Sequence, residues 1–310
     1  MASRVAVERL VTYIEQEKLP GIVEKTPGVR SLQIRFSTKR WDAGSLTKAL
    51  EPLLLKAVEV EDAKVASRIV RMPLSWRDPC CQQAEERYMS IVNPNAPWCP
   101  DNLEFIRRIN GLKTTAEVKE IVFNASYLVM GLGDVYLGAP VATPMDPTHR
   151  LVTTKYNPAR TWTAQNSVGI GGAYMCVYGM EGPGGYQLVG RTMPVWRDKG
   201  FNSNDDLCWL LRHFDQIQFY EVEQGELLEL RKQTISGDFE PEVIETSFDL
   251  SAYHQMIEAK SEQIKEFNLR RSQAFSEEME RWKELPEFEP NSAPSSIDLS
   301  SLGDVDGVQV

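Results

Sequence analysis

The spacing of apolar positions divides the chain into blocks of different texture. Val7, Leu10, Val11 and Ile14 recur at helical intervals, which predicts an amphipathic helix ending before Pro20-Gly21. Ile22–Glu24 and Ser31–Phe36 read as two strands around the turn Thr26-Pro27-Gly28. In the second run Leu32, Ile34 and Phe36 alternate with Gln33 and Arg35, the pattern of a half-buried strand. A helix over Asp42–Ala57 then carries Leu46, Ala49, Leu50, Leu53 and Leu54 on one face. Helix, two strands and helix make a small two-layer α+β unit over residues 1–64, closed by the charged linker Glu59–Lys64.

From Ser67 a strand carrying Ile69, Met72 and Leu74 leads to Trp76. Helices are predicted over Cys81–Val92, over Asp101–Ile109 with Asp101 and Gly111 as caps, and over Thr115–Phe123. Ser126–Leu132 is an apolar strand. Between Gly131 and Trp196 glycines and prolines punctuate short β-rich runs, Val168–Tyr178 and Tyr186–Arg191. This texture predicts a β-barrel or folded sheet with elaborate loops rather than a helix-bearing dinucleotide fold. Strands at Ile217–Val222, Phe239–Val243 and Ile244–Phe248, with a short helix over Gln224–Arg231, extend this second unit over residues 65–248. Residues 249–284 hold neither Gly nor Pro. Their seam of Tyr253, Ile257, Ile264, Phe267, Phe275, Met279 and Trp282 predicts one long helix. That seam either docks on the body of the protein or meets a partner helix. Residues 285–310 are Pro-, Ser- and Asp-rich with little to bury, and are expected to be disordered.

Charge narrows the partners. A net charge of −10 weighs against nucleic acid, although Arg107, Arg108, Lys155, Arg160 and Arg191 leave room for a small anion. No run reaches the ~18 apolar residues of a membrane span, and the first residues show no signal-peptide core. A cytoplasmic protein without membrane or nucleic-acid partners is expected. The five cysteines, odd in number, read as reduced thiols. With no C-x-x-C pair and with His149, His213 and His254 far apart, no metal site is expected.

The richest chemistry lies in residues 146–163, where Lys155, Tyr156, Asn157, Arg160 and Trp162 crowd into eight positions. Such a loop is either a surface segment pinned by its aromatics or a ligand-contacting loop on a rigid scaffold. His149 is either structural or a general base, since no carboxylate orienter is evident beside it. Gly131-Leu-Gly133 and Gly169-Ile-Gly171-Gly172 lack the flanking elements and the third glycine of a nucleotide fingerprint. They read as tight turns or bulges, although Gly171 and Gly172 let backbone N–H groups approach a ligand. No G-x-S-x-G elbow occurs, and Cys176 reads as a small buried hydrophobe.

Four runs resemble one family: Gly133-Asp-Val-Tyr-Leu-Gly-Ala-Pro140, Arg150-Leu-Val-Thr-Thr-Lys-Tyr-Asn-Pro-Ala-Arg160, Val168-Gly-Ile-Gly-Gly172 and Pro183-Gly-Gly-Tyr-Gln-Leu-Val-Gly-Arg-Thr192. They are similar to the C-terminal half of the carboxyltransferase domain of urea carboxylase (urea amidolyase). This is the allophanate hydrolase subunit 1 family, which also holds a 5-oxoprolinase subunit and a kinase inhibitor. Ala96-Pro-Trp-Cys-Pro100 and the Thr-Thr-Lys-Tyr-Asn-Pro-Ala-Arg run point to the urea carboxylase branch. The resemblance, over about residues 5–284, implies a ferredoxin-like N-terminal domain and a cyclophilin-like barrel. It implies a biotin-dependent transfer of a carboxyl group to urea, giving allophanate. Biotin would be carried on another domain or chain, and ATP would be used only by a biotin carboxylase part.

On that resemblance Lys155, Arg160 and His149 are catalytic candidates. Tyr156, Asn157, Gly171, Gly172, Gln187 and Arg191 would bind substrate or hold the barrel. The expected partners are the complementary carboxyltransferase half, a biotin carboxylase, a biotin carrier, and urea or a urea analogue. The other half, the ATP-grasp portion and a Met-Lys-Met biotinylation motif are not seen in the sequence. A subunit, an excised fragment or a degenerate copy, inactive alone, is therefore expected. Two alternatives stand beside this: a non-catalytic regulator like the kinase-inhibitor branch, and a component that carboxylates guanidine.

Overall fold

The computed structural model describes residues 1–133, 138–201 and 207–285. The expected disorder of residues 285–310 falls, after Leu285, outside the described residues, as do positions 134–137 of the first family run.

The N-terminal unit forms α1 (Ala2–Glu17), β1 (Ile22–Pro27), β2 (Leu32–Phe36) and α2 (Ala43–Ala57). Each boundary has a local cause. Lys18 closes α1 in the left-handed conformation, and Asp42 caps α2 by accepting from the Ser45 N–H while the Ser45 hydroxyl accepts from the Asp42 N–H. Leu10 and Ile14 of α1 bury against Ala57, Leu50 and Leu53 of α2, and against Ile22, Leu32 and Ile34 of the hairpin. The layering is ferredoxin-like, with both helices packed on a two-stranded antiparallel sheet.

The larger unit is a barrel. Among the described residues β3 (Lys64–Trp76), β4 (Tyr127–Leu132), β5 (Pro140–Pro144), β7 (Ser167–Gly171), β8 (Tyr174–Val177), β10 (Gln187–Thr192) and β11 (Gln216–Glu221) run in the order β10-β7-β8-β5-β4-β11-β3. Pairing of β10 with β3 through Gly190↔Trp76 and Thr192↔Leu74 closes the ring of 7 strands. β12 (Glu242–Asp249) pairs with the first part of β3. A two-stranded ribbon of β6 (Arg160–Thr163) and β9 (Gly182–Gly184) stands outside the ring. Helices α3 (Pro79–Ile91), α4 (Asn102–Ile109), α5 (Thr115–Asn124) and α6 (Gln224–Ser236) follow β3 and β11. Val70, Met72, Val129, Ile170, Val177 and Ile217 give the core, each burial contributing about 1.5–3 kcal/mol.

Polar closure is equally local. Arg68 donates two hydrogen bonds to Asp215 at 2.9 and 2.6 Å, a buried bidentate pair tying β3 to the chain entering β11. Gly190 marks the closure point. A Cβ there would stand 2.4 Å from the Ser75 carbonyl oxygen on β3, and that backbone cannot step aside. Gly190→Ala is expected to cost about 2 kcal/mol by overpacking, read as a lower denaturant midpoint at unchanged slope. An unchanged midpoint would show that the seam does not hold the ring.

Three expectations are corrected. The strand expected from Ser67 begins at Lys64, because its pairing with β12 extends through Asp249↔Lys64. The strands expected at Phe239–Val243 and Ile244–Phe248 are one strand, β12, which begins only at Glu242, where pairing with Arg71 of β3 starts. The single C-terminal helix is two, α7 (Leu250–Ala259) and α8 (Ser261–Lys283), parted at Lys260. Neither Gly nor Pro causes that break. Lys260 leaves helical geometry where its ammonium pairs with the Asp146 carboxylate of the 147–149 turn. α8 docks on α4: Arg108 donates to Glu278 at 2.9 Å, and Trp282 stacks on Phe105.

Candidate functional site

The 150–160 loop is built from the inside outward. Tyr156 is 4 % exposed, its ring set against Tyr88 of α3 and against Trp98. Its hydroxyl accepts from Asn102 Nδ2 at 2.6 Å, at the first turn of α4. Asn102 is a hub: Nδ2 also donates to the Trp98 carbonyl, and Oδ1 accepts from the Leu188 N–H of β10 at 2.8 Å. Gln187 Nε2 donates to the Thr154 carbonyl at 3.0 Å, and the Tyr156 N–H donates to the Gly185 carbonyl at 2.7 Å. These bonds fasten the loop to β10 and to the chain just before it.

Arg160 sits beneath, 1 % exposed. Nη1 donates to the Tyr186 carbonyl at 2.6 Å, Nε to Thr163 Oγ1 at 3.3 Å, and the guanidinium lies 4.4 Å over the Tyr156 ring. Nη2 is buried without a hydrogen bond among the described residues, as are Thr154 Oγ1 and Gln187 Oε1. No carboxylate pairs with Arg160 among the described residues. The nearby acid is Glu85 of α3, whose carboxyl is raised to about 7 by burial, opposed by the Asn102 N–H that donates to it and by the charges of Arg77 and Arg160. A buried arginine and a buried glutamate whose carboxyl is pushed up by that burial thus lie near each other beneath the loop.

On this base the loop displays Lys155 and Asn157 to solvent. The Lys155 ammonium stands 4.8 Å over the Tyr186 ring, and Asn157 precedes Pro158 across a cis peptide. Beside them Arg87 lies 4.7 Å over the half-buried Trp162. The outcome is a basic, aromatic surface strip on a buried polar base.

The remaining candidates fall elsewhere in the architecture. Gly171 lets the Tyr186 ring approach, since a Cβ would stand 2.5 Å from it. Gly172 adopts φ +60° and exchanges both backbone hydrogen bonds with Thr153, so its N–H is already engaged. Arg191 donates to the Gln165 carbonyl and to Cys80 Sγ, and holds the barrel end. His149 lies apart, in the Pro147–His149 turn against α5 and α8. Its pKa is lowered by burial, opposed by Asp146 and aided by Lys260, and neither neighbour belongs to the Arg160 cluster. Lys155, Tyr156, Asn157, Arg160 and Gln187 therefore gather in one wall, and His149 does not join them. No group of three metal-ligating side chains occurs among the described residues.

Sequence reading missed Glu85 and Asn102. Glu85 had a legible signal, because it shares a helical face with Cys81 and Tyr88 that is otherwise apolar. Asn102 had none: it follows a capping aspartate, where polar residues are ordinary.

Residues 1–204 match the family described as carboxyltransferase domain, subdomain C and D. The chain belongs to that family. It is 37 % identical to urea amidolyase of Saccharomyces cerevisiae over 261 residues, 84 % of this chain and 14 % of that one. Urea amidolyase of Lachancea kluyveri is likewise 37 % identical, over 94 % of this chain and 16 % of its own. The crystal structure of Kluyveromyces lactis urea carboxylase superposes with TM-score 0.79 at 37 % identity, over 88 % of this chain and 25 % of that chain. The chain thus spans only 14 % and 16 % of the length of those two amidolyases. Among the described residues no helix is long and apolar enough to cross a membrane.

Proposed function

We propose that this chain is one wall of a biotin-dependent urea carboxylase active site, completed by a complementary carboxyltransferase half. The observation that carries the reading is the exposed pair Lys155 and Asn157 on a base fixed by Tyr156, Arg160 and Asn102. Biotin, carried by another domain or chain, would supply the carboxyl group, which a urea nitrogen takes to give allophanate. The donor set fits a ureido headgroup: the Lys155 ammonium can donate to its oxygen, and the Asn157 amide can both donate and accept.

Lys155 would neutralise negative charge on the transferring carboxylate and on the ureido oxygen. Asn157 would orient urea so that one nitrogen faces the carboxyl carbon. The balance is simple: the carboxyl group leaves one nitrogen for another, and the displaced urea proton ends on the nitrogen that lost it. Arg160, Tyr156 and Gln187 act as positioning residues, holding the loop without touching substrate. A cytoplasmic setting, a separate biotin carboxylase with its ATP, and a carrier chain complete the proposal.

The test mixes this chain with the complementary half, a biotin carboxylase and a biotinylated carrier, and follows urea-stimulated ATP turnover. Lys155→Ala is expected to lower kcat/KM for urea about tenfold, or ~1.4 kcal/mol, while changing stability by no more than ~0.5 kcal/mol. Unchanged turnover in the variant would remove Lys155 from the site.

A further inference from the structure

A polar cavity opens at the junction of the N-terminal unit, the barrel and α7. Its volume is about 280 Å³, and it shares no lining residue with the Arg160 wall. Three arginines line it: Arg4 from α1, Arg30 from the β1–β2 turn and Arg150 from the chain leaving the 147–149 turn. Tyr174, beside the β7–β8 turn, and Thr143 add hydroxyls, and no carboxylate lines it among the described residues. That is the reverse of the chain as a whole, which carries −10.

Arg4 makes the case. Its side chain is wholly buried, on the apolar face of α1 that also carries Val5, Val7 and Ile14. Nε donates to the Met130 carbonyl at 3.0 Å and Nη2 to Glu8 at 2.9 Å, yet Nη1 is buried with no hydrogen bond among the described residues. A buried charged donor left unmade is costly, so a partner is called for. Arg150 spends Nε on the Pro144 carbonyl and Nη2 on the Met145 carbonyl and the Tyr253 hydroxyl, and enters no ion pair among the described residues. Arg30 is exposed and likewise unpaired among them. Arg271 adds a fourth guanidinium behind, donating to the Arg150 carbonyl at 2.9 Å. His213, held down to about 4 by burial and by Arg4, adds no further positive charge.

We propose that this cavity binds a small oxyanion, a phosphate or carboxylate group, which Arg4, Arg30 and Arg150 grip together across the junction of the two units. Guanidinium forks match the spacing of such oxygens, and a burial-weakened dielectric strengthens each contact. The occupant would join the N-terminal hairpin to the barrel. This inference is independent of the carboxyltransferase reading, because its readout is binding rather than turnover.

The experiment titrates the full chain by calorimetry with inorganic phosphate, and separately with malonate, each against sodium chloride at equal ionic strength. Saturable one-to-one binding of either anion, weakened about tenfold in Arg30→Ala, is the expected result. Stronger binding of phosphate or of malonate identifies which oxyanion the cavity prefers. Arg30 is exposed, so its loss leaves folding intact, and the melting midpoint of the wild type should rise with the bound anion while that of Arg30→Ala rises less. Heats equal to the chloride control for both anions, or binding unaltered in Arg30→Ala, would overturn the proposal.

Discussion

Arg160→Ala is expected to destabilise the protein by about 3 kcal/mol, the largest loss of any single substitution in the candidate wall. The side chain is 1 % exposed and its Nη1 satisfies the Tyr186 carbonyl at 2.6 Å. Removing it deletes that hydrogen bond and a stacked cation over Tyr156, and leaves a void next to Glu85. Recovering the hydration of a buried guanidinium offsets part of the loss, which is why the figure stays near ~3 kcal/mol. Arg160→Lys keeps the charge without the planar fork, and should restore less than half. Denaturation in guanidinium chloride measures both. If Arg160→Ala unfolds at the wild-type midpoint, the residue is not the base of the loop, and its direct contact with substrate regains weight. Because the expected loss is structural, activity of Arg160→Ala cannot by itself identify a catalytic arginine.

Glu85 is expected to give the stability a pH dependence opposite to that of an ordinary paired carboxylate. Its folded value of about 7 exceeds its ordinary 4.5 because burial disfavours the charged form. A raised carboxyl keeps its proton in the folded state where the unfolded state has lost it. The contribution is therefore fully present below about pH 4.5, falls as pH rises, and is gone once pH passes about 7. Across that window it amounts to about 3 kcal/mol, from ~1.4 kcal/mol for each unit of difference. Glu85→Gln removes the titration while keeping an acceptor for the Asn102 N–H. Its stability relative to wild type should rise between about pH 4.5 and pH 7. A wild-type minus Glu85→Gln difference that stays flat over that range would place Glu85 in water rather than in the wall.

Much of the fold was legible because its signals are local. The two-layer N-terminal unit follows from helical spacing in α1 and α2 and alternation in β2, and Asp101 caps α4 where expected. β5 escaped notice because Pro140 and Pro144 bracket a five-residue strand, where proline argues against pairing. β6 and β9 escaped because each is short and Gly- or Arg-containing, and each pairs as a strand with the other rather than with the barrel sheet. The break at Lys260 depends on Asp146, more than a hundred residues away, and no local pattern encodes it.

The candidate wall was half legible. The density of Lys155, Tyr156, Asn157 and Arg160 marked the loop, but residue type could not sort its faces. Tyr156 and Arg160 turn inward because an aromatic cage and a carbonyl wait for them, and Lys155 and Asn157 turn outward. Gly171 serves close approach of the Tyr186 ring, where sequence suggested only a tight turn or bulge, and the closure at Gly190 was not singled out at all. His149 carried chemical promise by type, yet its turn belongs to the docking of α5 and α8. The basic junction was missed entirely, although Arg4 sits at a core position of α1 and so had a readable sign.

The most direct measurement of the central claim follows labelled carbon from bicarbonate in the reconstituted system of biotin carboxylase, biotinylated carrier, complementary half and this chain. One wall of a shared site requires label in allophanate when urea and all components are present, and label confined to the carrier when this chain is left out. Equal labelling of allophanate with and without this chain would contradict it.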